Sequence, residues 1–89
     1  MAYETGRIVL SKSGRDKDLF FVVLSADSGT VTICDGKRRR LENPKTKNVK
    51  HVAKTACIIA EEQLKTNKSI RHALYDFVCG DQCFIKGDD

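Results

Sequence analysis

Six consecutive apolar residues, Leu19-Phe20-Phe21-Val22-Val23-Leu24, constrain this chain more than any other feature. A run so short, rich in β-branched and aromatic side chains, suits a central strand buried on both faces better than a helix. The surrounding sequence has the same character. Residues 6–12 are β-prone, and Ser13-Gly14-Arg15-Asp16-Lys17-Asp18 is a polar turn cluster. Asp27-Ser28-Gly29 is a second turn, and residues 30–34 alternate as a half-buried strand. Asp35-Gly36 predicts a tight hairpin turn, because both residues tolerate the positive φ of a type I′ turn. Residues 37–42 are then the expected returning strand, closed by Pro44, and residues 49–52 a last short strand. Four or five short strands at this spacing predict a small barrel, which leaves no exposed sheet edge.

The hydrophobic period then changes. Ile70, Ala73, Leu74, Phe77 and Val78 fall on one helical face, with Thr66, Asn67 or Ser69 available as N-cap and Gly80 as a stop. This predicts a helix over residues 67–79. Residues 55–65 fit a helix or an extended strand equally well. The apolar stripe needs a partner, and the barrel is the only one in the chain. With 89 residues there is room for one core. The expected organisation is therefore a barrel over 1–54 and a helical extension over 55–89 within the same domain.

No apolar run approaches the roughly 18 residues of a membrane span. The start, Met1-Ala2-Tyr3-Glu4, lacks the basic and apolar regions of a signal peptide. A cytoplasmic location is expected, and with it four cysteines held as thiols.

The net charge is +4, unevenly spread: residues 1–54 carry +6 and residues 55–89 carry −2. The basic half is where a polyanion would be drawn. Lys37, Arg38, Arg39 and Arg40 follow the Asp-Gly turn, with Lys45, Lys47 and Lys50 soon after. Arg7, Lys12, Arg15 and Lys17 add cations from the first strand and its loop. Several cations on one rim suit a phosphate backbone, since each neutralised phosphate releases a counterion. On a strand Arg38 and Arg40 would share a face and Arg39 would point away. Arg38, Arg40, Lys45, Lys47 and Lys50 are the leading candidates for phosphate contact.

Two stretches carry a family resemblance. The first is Gly6-Arg7-Ile8-Val9-Leu10-Ser11-Lys12-Ser13-Gly14-Arg15-Asp16-Lys17-Asp18, running into the apolar strand. The second is Asp35-Gly36, Arg40-Leu41-Glu42-Asn43-Pro44-Lys45 and Lys47-Asn48-Val49-Lys50-His51-Val52. Together, over residues 5–54, these resemble the KOW motif of bacterial KOW-domain RNA-binding proteins, which are related to a eukaryotic and archaeal large-subunit ribosomal protein. Thr66-Asn67-Lys68-Ser69-Ile70-Arg71-His72-Ala73-Leu74 is similar to the helical end of that group. The resemblance implies an SH3-like β-barrel, RNA binding and no catalytic activity. Asp18 stands where the motif normally has Gly, at a position whose backbone would be left-handed.

Other chemistry finds little support. Neither a phosphate-cradling Gly-rich loop nor a nucleophile elbow is present. Glu61 and Glu62 are adjacent, so on a helix they diverge by about 100° and cannot flank one substrate. Cys79 and Cys83 form one close pair, but Cys34, Cys57, His51 and His72 are scattered. Zinc sites use paired short spacings, so no metal or other cofactor is expected, and Cys34 and Cys57 read as small buried residues. Phe20 and Phe21 read as core; Tyr3 is a weak candidate for base stacking. The expected function is non-catalytic binding of ribosomal or other structured RNA, in association with the ribosome, with no membrane or small-molecule partner. The alternative is a KOW-type module that binds a transcription or translation protein.

Overall fold

The apolar run becomes a strand with both faces covered. The computed structural model describes residues 3–80, with side chains described through Val78. Five strands form one antiparallel sheet: β1 (Arg7–Ser11), β2 (Phe20–Ala26), β3 (Thr30–Cys34), β4 (Lys45–Asn48) and β5 (Val52–Ile58), in the order β4-β3-β2-β1-β5. Along β2, alternate side chains enter two different cores. Val22 joins Ile8 and Cys34 on one face, whereas Phe21 and Val23 join Val9, Val31, Ile33 and Val52 on the other. A strand buried on both sides needs no polar alternation, which is why residues 19–24 are continuously apolar.

The first core is roofed by the helix α1 (Asn67–Tyr75), which continues as a π-turn over Asp76–Gly80. Ile70, Leu74 and Phe77 reach the sheet, and the Phe77 ring meets Phe20 edge-on at 5.0 Å. Thr66 caps the helix as expected, its Oγ1 accepting from the Ser69 N–H at 3.1 Å. The second core lies inside the curl of the sheet. The sheet is curled because a three-residue 3₁₀ turn, Val49–His51, carries the chain from β4 at one edge to β5 at the other.

Several expectations are corrected. Residues 37–42 are not a strand. The Asp35 carboxylate accepts the N–H groups of Lys37, Arg38 and Arg39, each at 2.9 Å, and wraps the chain into a loop in place of a hairpin turn. The returning strand is β4, beyond Pro44, with Val31 opposite Lys47 and Ile33 opposite Lys45. The last strand starts at Val52 and runs to Ile58, crossing the expected boundary at residue 54; Arg7 pairs with Ile58. Residues 61–64 form a short 3₁₀ turn. Cys34 is a free buried thiol, but Cys57 is disulfide-bonded, so the expectation of four thiols fails there. The side chains of Cys79 and Cys83 lie outside those described.

Candidate nucleic-acid interface

The register places two cation-bearing loops at one end of the sheet. Leu10 lies opposite Phe20 and Val22 opposite Cys34, so the loops after β1 and after β3 both leave beside the first residues of β2. The loop after β1 is pinned at its neck: Ser11 N–H donates to the Leu19 carbonyl at 2.9 Å, and Asp18 N–H to the Ser11 carbonyl at 2.8 Å. Closing the loop so tightly puts Asp18 at φ +72°. That is left-handed backbone, in a residue type that tolerates it. Lys12, Arg15 and Lys17 are left exposed on this loop.

Asp16 points the other way. Its Oδ1 accepts from Lys47 Nζ at 2.8 Å and from Ser11 Oγ at 2.9 Å, and its Oδ2 from Lys45 Nζ at 3.2 Å. Lys47 Nζ also donates to the Ser13 carbonyl at 2.9 Å. Burial works against the Asp16 charge, but the donors Lys47, Ser11 and Lys45 outweigh it and hold the carboxyl well below the usual carboxylate range. Lys47 is buried and committed to this network, so it is not a surface cation. Lys45 is partly committed, with 30% of its side chain exposed.

Arg7 is likewise engaged within the fold. Its Nε and Nη2 donate to Glu4 Oε1 at 3.0 and 2.7 Å, and its Nη1 to the Thr55 carbonyl at 3.0 Å. The same contact lowers the Glu4 carboxyl from its ordinary value. Arg39 is half-buried. Lys12, Arg15, Lys17, Lys37, Arg38, Arg40 and Lys50 are exposed, and among the described residues none of them forms an ion pair.

The loop after β3 is held by the helix. Gly36 sits at φ +78° against α1, where a Cβ would overlap the Asn67 carbonyl oxygen, and Arg71 Nη1 donates to the Gly36 carbonyl at 3.3 Å. Asn67 clamps the far side, its Oδ1 accepting from Leu41 N–H at 2.8 Å and its Nδ2 donating to Glu42 at 2.9 Å. Between loop, helix and the start of β2 lies a groove of about 850 Å³, lined in part by Lys37 and Arg38. Arg71 and His72 line it too. No sequence pattern marks these two residues, because only the docking of α1 on the loop brings them there. Arg38 and Arg40 do not share a strand face; Arg38 lines the groove and Arg40 is exposed on the loop beyond it.

Tyr3 is engaged, half-buried on the second core with Lys54 Nζ 5.7 Å from its ring centroid. Tyr75 is 67% exposed on the groove wall. Burial and the neighbouring Asp35 push the Cys34 thiol up to about 11, which leaves it unreactive as a nucleophile near neutral pH. Among the described residues, no group of three His, Cys, Asp or Glu side chains could hold a metal ion, and no helix is long and apolar enough to cross a membrane. No protein-family model matches the chain, and no curated protein matches it.

Proposed function

We propose that this protein is a non-catalytic RNA-binding protein of the KOW type, with an SH3-like barrel, that contacts ribosomal or other structured RNA in the cytoplasm. One observation carries the reading. Two loops bearing Lys12, Arg15, Lys17, Lys37, Arg38 and Arg40 leave the same end of the sheet, their cations exposed and in no ion pair among the described residues. Cations that serve structure are paired, as Lys47 and Arg7 are; a cluster left open to solvent at one end of a small domain suits a polyanion.

The test is binding to total ribosomal RNA across a salt series, with a Lys37→Ala, Arg38→Ala, Arg40→Ala variant checked for folding by circular dichroism. The wild type should lose affinity log-linearly with salt, and the variant should show a shallower slope. Wild-type binding that is absent at physiological salt, or indifferent to salt, overturns the proposal. The exposed Tyr75 and Val78 would then favour a protein partner, held by apolar contact.

A further inference from the structure

Asp16 is buried between two chain neighbours, Arg15 and Lys17, that are exposed, as is Lys12. Its carboxylate is held by Lys47, Lys45 and Ser11, and Lys47 also reaches the Ser13 carbonyl. The backbone on either side is tied as well. Lys17 N–H donates to the Gly14 carbonyl at 3.2 Å, and Leu19 N–H to the Asp16 carbonyl at 3.1 Å. The loop over residues 12–18 is thus fixed at its neck, along its turns and on its inner side, and has little conformational freedom left to lose on binding. The loop after β3 is fixed too, by Asn67 and Arg71 of α1.

For attraction of a polyanion alone this arrangement is poor. Asp16 sets a negative charge beside the loop cations and occupies two lysines, Lys45 and Lys47. Nor does stability require it, since an apolar pair of similar volume commonly does as well as a buried ion pair. What the acid supplies is shape: charge is given up, and the spacing of the exposed cations is set. Cations at fixed spacing suit phosphates that are themselves at fixed spacing, as along an A-form double helix recognised by its shape. A single strand adapts to mobile cations equally well and gains much of its hold by stacking on aromatic rings. Neither cation loop, 12–18 or 35–44, contains an aromatic residue. We infer that Asp16 is a positioning residue which, by fixing Arg15 and Lys17, selects the double-helical backbone of RNA over single strands. The inference rests on the RNA-binding reading and names the feature of the RNA that is recognised.

The probes are a short RNA duplex of mixed sequence and a U-rich single strand of equal length, titrated at fixed low salt beside total ribosomal RNA. Each protein is first shown to be folded by circular dichroism. The wild type should prefer the duplex. Asp16→Asn should cut that preference about tenfold, weakening the duplex through loss of the fixed spacing. It should tighten the single strand, because an acid is removed and two lysines are released. Electrostatics alone would tighten both RNAs, so the sign of the duplex change is decisive. Lys47→Met releases Asp16 and the Ser13 carbonyl from the other side and should cut the preference about threefold. Comparing variants cancels the higher charge density of the duplex. In a Lys12→Ala, Arg15→Ala, Lys17→Ala background, Asp16→Asn should no longer weaken the duplex, whereas a loss of global stability would act in either background. Wild-type indifference to strandedness, an undiminished preference in both variants, or tighter duplex binding by Asp16→Asn overturns this inference while salt-dependent binding of ribosomal RNA persists. So does an equal loss with and without the loop cations. Loss of salt-dependent binding to every RNA overturns the RNA reading itself.

Discussion

Asp16 Oδ1 and Lys47 Nζ lie 2.8 Å apart with 11% and 8% of their side chains exposed, and the pair ties the loop after β1 to the edge strand β4. The charges sit at the rim of the second core, in the register line of Val31, which faces Lys47 across the sheet. β4 and β1 are not neighbours in the strand order, so the Lys47 side chain bridges the inside of the curl, to Asp16, which also accepts from Ser11, and to the Ser13 carbonyl.

Removing one partner leaves the other charge without its main counterion. Asp16→Ala should destabilise the fold by about 3–5 kcal/mol, because two lysines then face a site with no carboxylate. Lys47→Met should cost less, roughly 1–3 kcal/mol, since Asp16 keeps Lys45 and Ser11. Combining Asp16→Leu with Lys47→Met should recover at least half of the Asp16→Ala loss. Urea unfolding of the variants measures each value; equal losses for the two single changes would show that the pair is not the controlling contact.

Stability should depend on acid through the same carboxyl. Its folded pKa lies below its unfolded value, so its contribution is fully present above the unfolded carboxylate range and is lost as pH falls towards the folded value. The unfolding free energy of the wild type should therefore decline from about pH 5 downward and keep declining below pH 3. Asp16→Asn should flatten that decline. Urea midpoints at a series of pH values, with both proteins side by side, decide it.

Gly36 should resist substitution. Ala there would take a left-handed backbone at a cost of about 1–3 kcal/mol and press its Cβ on the Asn67 carbonyl. Gly36→Ala should lower the thermal midpoint and weaken RNA binding together, since the loop carrying Lys37 and Arg38 is docked through this glycine. At Gly29, nothing lies within 4 Å of an added Cβ, and Gly29→Ala should leave RNA affinity unchanged.

Salt dependence should separate two kinds of lysine. Deleting one cation that meets a phosphate should reduce the log–log salt slope by about 0.7–0.9. Lys37→Ala with Arg38→Ala should reduce it by about twice that amount. A folded Lys47→Met protein should keep the wild-type slope, because its amine is spent on Asp16 and the Ser13 carbonyl.

Much of this architecture is legible in the residues themselves. The apolar run of β2, the alternation of β3 and the stripe from Ile70 to Phe77 each follow directly from a period, and Thr66 marks the helix start through its hydroxyl. The left-handed backbone at Asp18 is suggested only by the family resemblance, since an Asp in a polar turn cluster does not mark it alone. β4 is hidden because Lys45-Thr46-Lys47-Asn48 contains no apolar side chain. Its inward residue is a lysine made acceptable by an aspartate 31 positions earlier, which no local pattern reveals. The Asp35-Gly36 signal misleads for a related reason: the Asp35 carboxylate captures three backbone N–H groups, and contact with α1 fixes Gly36 in the resulting loop. Arg71 and His72 become visible only once the helix is placed.

The passage from β4 to β5 through residues 49–51 has a consequence for synthesis. β5 pairs with β1, some 45 residues earlier, so the strand that covers this edge of the sheet leaves the ribosome after the other four strands. Until Val52–Ile58 has emerged, β1 is an open edge, and the core around Ile8 and Val22 lacks Ile59, Ile70 and Leu74. The domain should therefore fold late and all at once, after its basic half has already been exposed to whatever polyanion stands nearest.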